Sequence, residues 1–250
     1  MHDFCKYPDY TRIMRVTILG TGCVTSKNST STSFVINNHI LVEIGNGVTN
    51  ELQRAGLDTK DIDTIVISHT HSDHFGDIAY FLVRRFYQKS THSLAIIGPE
   101  GVEQKIKDLI CLMHNRVEHY LGNVSFIELK AGQIYSGKSI GIKAFHADHG
   151  RSIANGYVFD INDKTLGYSG DTQLGNSLLD ELQNSEHWIM EASTVDNAGP
   201  GHLALDQIEN MAKDHVSKTF YAVHRGDYEA HSEFKNVLFP TSEEIINIAQ

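Results

Sequence analysis

Four side chains that can bind a metal stand within six residues, in the segment His69-Thr70-His71-Ser72-Asp73-His74. Imidazole and carboxylate groups are good ligands for zinc, and a catalytic zinc site keeps one position open for water. A strand end and a short loop can direct His69 and His71 toward one point, and Asp73 and His74 toward a neighbouring point. The spacing therefore predicts part of a hydrolytic site for two divalent cations. A polar loop with three unrelated histidines, the alternative, leaves the agreement of residue type and spacing unexplained.

The elements around the cluster favour this interpretation. A run of β-branched residues, Ile62–Ile67, predicts a buried strand just before it, and the apolar spacing from Phe75 to Gln88 predicts a helix after it. Strands dominate the rest of the chain, with helices interspersed in both halves, which predicts two sheets with helices outside them. Since we find no repeat or linker, we expect residues 1–250 to form a single domain of the α/β (α+β) class.

Polar groups at the ends of other predicted strands are candidates to complete the two metal sites. His146 and His149 follow one predicted strand, Asp171 follows another, and His224 follows a third. Each stands at the carboxyl end of its β run, as His69 does, so we expect one shared cleft. The residues alone leave both His146 and His149 as candidates for the third position.

Composition limits the class of protein. The 250 residues carry a formal net charge of −10, whereas nucleic-acid binders usually show a basic surplus, so a large RNA or DNA footprint is disfavoured. The three cysteines do not form a disulfide framework. Neither a signal-peptide pattern nor an apolar run long enough to cross a bilayer is evident. We therefore expect a cytoplasmic protein without a membrane partner, and the oligomeric state stays open between monomer and homodimer.

Taken in order, these residues resemble the metallo-β-lactamase superfamily over nearly the whole chain. The resemblance implies a four-layer αββα sandwich with two metal ions at one edge, zinc by expectation and manganese or iron as alternatives. It implies that one metal is held by three histidines, His69, His71 and His149. It implies that a second is held by Asp73, His74 and His224, and that Asp171 bridges the two. Phe145-x-x-x-His149, followed by Gly156-Tyr157, resembles the ribonuclease Z branch and favours His149 over His146.

Two more residues resemble catalytic groups of ribonuclease Z. Glu191-Ala192-Ser193 resembles its His-Glu-Ala-Thr segment, with Met190 in place of the histidine, and His202 resembles the histidine that acts on the scissile phosphate. The likeness implies that Glu191 orients His202, which protonates the leaving oxygen or holds a phosphate oxygen. A water between the cations would lose a proton near neutral pH and attack the phosphorus, with Asp73 orienting it. An ordinary residue at a helix start is the alternative for His202.

One departure from ribonuclease Z bears on the substrate. Only 21 residues separate His149 from Asp171, where tRNA-processing enzymes carry a long arm that clamps tRNA. A long tRNA-type substrate is therefore doubtful, and a small-molecule phosphodiester, a cyclic nucleotide or a short nucleic acid is expected instead. Hydrolysis of a lactone or thioester is the alternative activity, and a catalytically silent metal-binding scaffold is a remote one.

Overall fold

The computed structural model describes residues 13–115, 117–137 and 140–249. The segment before Ile13, in which the sequence shows no signal-peptide pattern, lies outside the described residues. In the described ranges, no helix has the length and apolar character that crossing a membrane requires.

Seven strands form a first sheet, mostly from the N-terminal half of the chain. They are β1 (Met14–Gly20), β2 (Ser33–Ile36), β3 (Ile40–Val42), β4 (Thr64–Val66), β5 (Leu94–Gly98), β6 (Val124–Glu128) and β14 (Ile245–Ile248). Their spatial order is β14-β1-β2-β3-β4-β5-β6. Pairing is antiparallel from β14 to β3 and parallel from β3 to β6.

Seven strands from the second half form the other sheet. They are β7 (Ile134–Ser136), β8 (Gly141–His146), β9 (Asn155–Ile161), β10 (Lys164–Tyr168), β11 (His187–Glu191), β12 (Thr219–Val223) and β13 (Val237–Leu238). Their order is β13-β12-β11-β10-β9-β8-β7. Here too one half is antiparallel, from β7 to β10, and the other half, from β10 to β13, is parallel. The two sheets are therefore built alike.

Helices cover the outer faces of both sheets. They are α1 (Val48–Arg54), α2 (Ser72–Phe75), α3 (Ile78–Tyr87), α4 (Val102–Met113), α5 (Val117–Tyr120), α6 (Asn176–Glu181), which runs into a 3-10 turn at Leu182–Asn184, and α7 (Leu205–Asp214). Successive side chains of a strand point to opposite faces of its sheet, so neighbouring residues pack in different layers. Phe34 and Ile36 of β2 point into the core between the sheets, whereas Val35 packs against the helices outside. The predicted arrangement of two sheets with helices outside them is confirmed.

The helix predicted from Phe75 to Gln88 is confirmed as α3, but it begins later than expected, at Ile78. Gly76 and Asp77 separate it from the short helix α2. The Asp77 carboxylate accepts the backbone N–H of Thr49 at the start of α1, at 2.9 Å. The backbone N–H of Asp77 donates to the carbonyl of Ile44, and the N–H of Ile44 donates to the carbonyl of His74. These bonds hold the break against the loop after β3, and this non-local contact overrides the local helical pattern.

Candidate metal centre

The carboxyl ends of several strands bring the polar residues to one edge of the sandwich. His69 follows β4, Asp171 follows β10, Glu191 ends β11 and His224 follows β12. All four are buried. A fifth residue, His149, lies in the loop between β8 and β9. The predicted shared cleft therefore draws on both sheets.

Three histidines form a first group in which one ring nitrogen of each points to a common centre. His69 Nε2 lies 2.9 Å from His71 Nδ1, and His149 Nε2 lies 3.0 Å from the same atom. Neighbouring ligands of a tetrahedral zinc ion, with bonds of about 2.0–2.1 Å, lie at a similar separation of about 3.3 Å. This group has the geometry of a three-histidine ligand set.

The other ring nitrogens of these histidines have partners outside the group. His69 Nδ1 lies 3.0 Å from Ser68 Oγ, and His71 Nε2 lies 3.1 Å from Ser152 Oγ. His149 Nδ1 donates to the backbone carbonyl of Gly201 at 2.7 Å. Such outer bonds fix the orientation and tautomer of a metal-binding imidazole. The bond from His149 leaves its Nε2 unprotonated in the neutral ring and able to ligate.

A second group consists of Asp73, His74 and His224. His74 Nε2 lies 3.2 Å from His224 Nε2, and Asp73 Oδ2 lies 3.3 Å from the latter atom. The loop that carries Asp73 packs closely against Gly45, where an added Cβ would lie 1.8 Å from the Asp73 carbonyl oxygen. Only glycine fits at this contact, so Gly45 helps to place the second group.

Asp171 lies between the two groups. Its Oδ1 is 3.3 Å from His74 Nε2, and its Oδ2 is 3.4 Å from His224 Nε2. The same Oδ2 is 3.9 Å from His69 Nε2 and from His149 Nε2. Both carboxylate oxygens therefore lie near the second group, and Oδ2 also faces the first group, so Asp171 is placed to contribute to both.

The donor set fits cations better than it fits hydrogen bonding within the protein. Ring nitrogens that meet at about 3 Å cannot all pair with one another, since each bond needs one donor and one acceptor. Asp171 Oδ1, one of the converging atoms, is buried and has no hydrogen-bond partner among the described residues. Buried polar groups without partners are costly. Divalent cations at the two centres would satisfy the converging atoms.

The carboxylates create a strong local preference for positive charge. Burial opposes the charged form of His74, yet Asp171 and Glu43 raise its pKa to about 10. Burial also opposes the charged form of His224, whose pKa Asp171 and Asp73 nevertheless raise well above its usual value. In the first group, burial and the neighbouring imidazole of His74 hold the pKa of His69 well below its usual value. The neutral imidazole, the ligating form, is therefore favoured at His69.

Glu43, which the sequence reasoning missed, supports the second group. It follows β3, is fully buried and has a left-handed φ of 61°. Its Oε1 accepts the backbone N–H of Ser68 at 3.0 Å, and its Oε2 lies 3.6 Å from His74 Nδ1. The signal was present in the sequence as a single carboxylate inside the apolar run Ile40–Ile44. A charge in a buried strand needs a partner, and here the partner is His74.

His202 and Glu191 form a pair at the border of the two groups. His202 Nδ1 lies 2.9 Å from Glu191 Oε2, and 3.9 Å from Asp171 Oδ2. Glu191 is buried, while the His202 side chain is 30% exposed. The hydrogen bond with Glu191 raises the pKa of His202. Glu191 Oε2 also lies 3.5 Å from His224 Nδ1, a link that the sequence did not predict.

His146 and His149, both candidates from the sequence, occupy different environments. His149 is buried within the first group, whereas His146 is exposed at the end of β8. The structure thus brings together all seven residues expected to bind metal, and His146 is not among them.

Comparisons with known proteins agree with this geometry. A family model described as Anti-Pycsar protein Apyc1 matches residues 14–239. Anti-Pycsar protein Apyc1 of Bacillus phage BSP38 is 22% identical over 231 residues, which cover 85% of this chain and 89% of that protein. Ribonuclease Z of Mycobacterium avium (strain 104) is 28% identical over 188 residues, or 68% of this chain and 66% of the enzyme. The chain spans between 45% and 66% of the length of the first ribonuclease Z relatives it matches.

Solved structures show the same fold. The metallo-β-lactamase fold protein YhfI from Bacillus subtilis has a TM-score of 0.79 at 18% identity, covering 94% of this chain and 99% of its own. Human tRNase Z, short form, has a TM-score of 0.74 at 22% identity, with coverage of 93% and 98%. The expected four-layer metallo-β-lactamase fold and its ribonuclease Z-like branch are confirmed.

Proposed function

The chain belongs to the family of Anti-Pycsar protein Apyc1. From this premise we propose that it is a metal-dependent hydrolase, similar to ribonuclease Z, that acts on a cyclic nucleotide or another small phosphodiester. One observation carries the choice of a phosphodiester. The buried Glu191 holds His202 at 2.9 Å, beside the seven clustered residues. An imidazole with a raised pKa next to a buried carboxylate is suited to donate a proton to a poor leaving group.

Seven residues would hold two divalent cations. His69, His71 and His149 would bind one, and Asp73, His74 and His224 the other, with Asp171 shared. Zinc suits a ligand set with five imidazoles, while manganese and iron accept the same groups. When bound, such ions lower the pKa of water and stabilise negative charge on phosphate oxygens.

The roles of the remaining polar groups follow from their contacts. His202 Nδ1 faces Glu191, so Nε2 is the nitrogen left to meet the substrate. We assign His202 to protonation of the oxygen that leaves phosphorus as the P–O bond breaks. Glu191 orients the ring and raises the pKa of His202, which favours the charged form. Asp73, whose pKa is lowered against burial by its hydrogen bond with His224, stays ionised and can orient the attacking water as well as bind metal.

The segment between His149 and Asp171 favours a small substrate. Strands β9 and β10 and their tight turn occupy most of it, so no long arm extends from this part of the chain. The net charge of −10 also disfavours a long nucleic acid. Together with membership of the Anti-Pycsar family, these features favour cyclic nucleotides over tRNA.

A substrate panel tests the proposal. Protein reconstituted with Zn²⁺ or Mn²⁺ is expected to hydrolyse bis(p-nitrophenyl) phosphate and 3′,5′-cyclic nucleotides. Hydrolysis of a lactone or thioester with no phosphodiester activity would support the alternative and refute the proposal. Metal-loaded protein that is inert on every substrate would favour the scaffold.

A single variant then tests the assigned acid. We expect His202→Ala to reduce kcat on cyclic nucleotides by about 100- to 10,000-fold, the usual contribution of a general acid. The loss on bis(p-nitrophenyl) phosphate should be smaller, because p-nitrophenolate leaves without a proton. An equal loss on both substrates would contradict the role as acid. His215→Ala, at the end of α7, is the matched control.

A further inference from the structure

His224, a member of the second group, has a backbone conformation that needs support. It follows β12, is buried and has a left-handed φ of 51°. Such a conformation at a non-glycine residue costs free energy and persists only where the surrounding structure holds it. With this backbone, His224 Nε2 lies 3.3 Å from Asp73 Oδ2 and 3.4 Å from Asp171 Oδ2. Contacts outside the second group must therefore hold the backbone of His224.

The chain is fixed on both sides of His224. Val223, the residue before it, ends β12 and pairs with β11 in the second sheet. Arg225, the residue after it, donates its backbone N–H to the carbonyl of Thr21 at 2.8 Å and forms an isolated parallel bridge with Gly22. Thr21 and Gly22 belong to the loop after β1 of the first sheet. The backbone therefore changes from one sheet to the other within a single residue, His224.

The side chain of Arg225 strengthens the same attachment. Its Nη2 donates to Thr21 Oγ1 at 3.2 Å and to the backbone carbonyl of Pro240 at 2.8 Å. The guanidinium carbon lies 5.7 Å from the centre of the Phe239 ring, within the range of a cation–π contact. Ser26 Oγ donates to the Arg225 carbonyl. Main chain and side chain of Arg225 are thus both engaged with neighbouring protein groups.

The loop that receives Arg225 is itself well supported. Thr21 is buried, and its backbone N–H donates to Ser29 Oγ at 3.1 Å. The backbone N–H of Gly22 donates to the carbonyl of Thr30 at 2.9 Å, and the Gly22 carbonyl accepts the N–H of Thr32 at 2.8 Å. Because these bonds fix the loop to residues 29–32, the loop can hold Arg225 in place.

We propose that residues 21–26 and Arg225 form a clamp that holds His224 in its left-handed conformation and places it for the second metal ion. Thr21, Ser26 and Arg225 are positioning residues, which act through His224 and are not ligands themselves. The inference rests on the metal ligands proposed above and is independent of the choice of substrate. It gives the N-terminal sheet a second contribution to the centre, in addition to the histidine loop.

Zinc binding by Arg225→Ala and Ser26→Ala tests the clamp. In chelator competition on the full chain, one of the two zinc ions should bind about tenfold more weakly in Arg225→Ala and about threefold more weakly in Ser26→Ala, as expected when groups behind a ligand are lost. Ser26→Thr keeps the hydroxyl and should restore the wild-type affinity. Arg54→Ala, which removes an exposed arginine of α1, is the matched control and should leave both affinities unchanged.

A double variant assigns the effect to one of the two sites. His149→Ala removes a histidine of the first group, so the zinc ion that remains is held by the second group. Adding Arg225→Ala should weaken the binding of this ion about tenfold. An affinity equal to that of His149→Ala alone would refute the clamp.

Hydrogen exchange gives a measurement that needs neither metal nor substrate. In the metal-free protein, the backbone amides of residues 223–226 should exchange faster in Ser26→Ala and Arg225→Ala than in the wild-type protein. Unchanged exchange in both variants would contradict the clamp. Since Ser26 lies in a loop and is partly exposed, its variant keeps the test decisive if Arg225→Ala does not fold.

A role of Arg225 in binding substrate would give a different result. Arg225 also lines a cavity of about 400 Å³, so its replacement could act there instead. A raised KM with unchanged zinc affinity in Arg225→Ala would establish that role and overturn the clamp. Wild-type protein that binds fewer than two zinc ions would instead refute the proposed ligand set, and the inference with it.

Discussion

The two sheets contribute to the centre in different ways. The N-terminal sheet supplies four of the seven clustered residues from one loop, His69–His74, whereas the C-terminal sheet supplies His149, Asp171 and His224 from three separate loops. Local bonds hold the first loop, such as that from the His74 N–H to the His71 carbonyl. The C-terminal residues depend on packing between distant segments. The N-terminal loop serves both metal groups at once. We therefore expect single substitutions of the C-terminal residues to have effects on the site that can be told apart.

The largest effect is expected for Asp171→Ala, which tests whether the C-terminal half joins both groups. Asp171 lies near the second group through both oxygens and faces the first group through Oδ2, so its loss should weaken binding of both metals. We expect bound zinc, measured by elemental analysis, to fall from two ions per chain to one or fewer. Loss of several kcal/mol of metal stabilisation should reduce kcat/KM by about a thousandfold or more. Asp148→Ala is the control. If the Asp171→Ala variant kept both metal ions, Asp171 would not join the two groups.

Glu191→Gln should produce a smaller loss, because Glu191 acts through its neighbours. We expect kcat to fall about 10- to 100-fold. Glu191 raises the pKa of His202, which must be protonated to act as an acid, so activity falls as pH rises through that pKa. Removing the carboxylate lowers this pKa, and the alkaline limb of the pH profile should move to lower pH. An unmoved limb would contradict the positioning role, and Glu186→Gln, on an exposed residue, is the control.

Glu43→Gln examines the N-terminal side in the same way. The amide oxygen can still accept from Ser68, but the interaction with His74 Nδ1 is lost. Chelator competition should show about 10- to 100-fold weaker zinc binding at one of the two sites. Excess zinc should restore most of kcat. Unchanged zinc affinity would mean that Glu43 serves only the fold.

The smallest effect is expected for His146→Ala, compared with His149→Ala. His146 is exposed, so its replacement should leave metal content and kcat within about twofold of the wild-type values. His149→Ala removes one of three converging imidazoles and should cost one metal ion. If the two variants had the same metal content and kcat, the assignment of His149 as the third histidine of the first group would be wrong.

Features set by nearby residues could be predicted from the sequence. The spacing of the buried Val102, Ile106 and Ile110 is that of one face of helix α4. The turn at Asn37-Asn38 has both asparagines at positive φ, 49° and 66°. Apolar periodicity and turn chemistry act over a few residues, so they appear directly in the chain. The histidine loop belongs to the same class, since four of its potential ligands are sequence neighbours.

Features set by distant residues could not be derived in this way. Strand β14 pairs with β1, joining Met14 to Ile248, and no local pattern specifies that partner. The break at Gly76 and Asp77 depends on the loop after β3. The link between Glu191 and His224 arises only because β11 and β12 lie side by side in the sheet. The resemblance to a known family predicted Asp171 and His224, where spacing alone could only offer candidates.

The separation of the clustered residues along the chain has a consequence for folding. His71 and His149 are 78 residues apart, whereas His74 and His224 are 150 apart. Closing longer loops costs more chain entropy, and folds rich in such contacts form slowly. The second group cannot assemble until β12 has been synthesised and has joined its sheet. Uptake of the second ion would thus report that nearly the whole chain has reached its native topology.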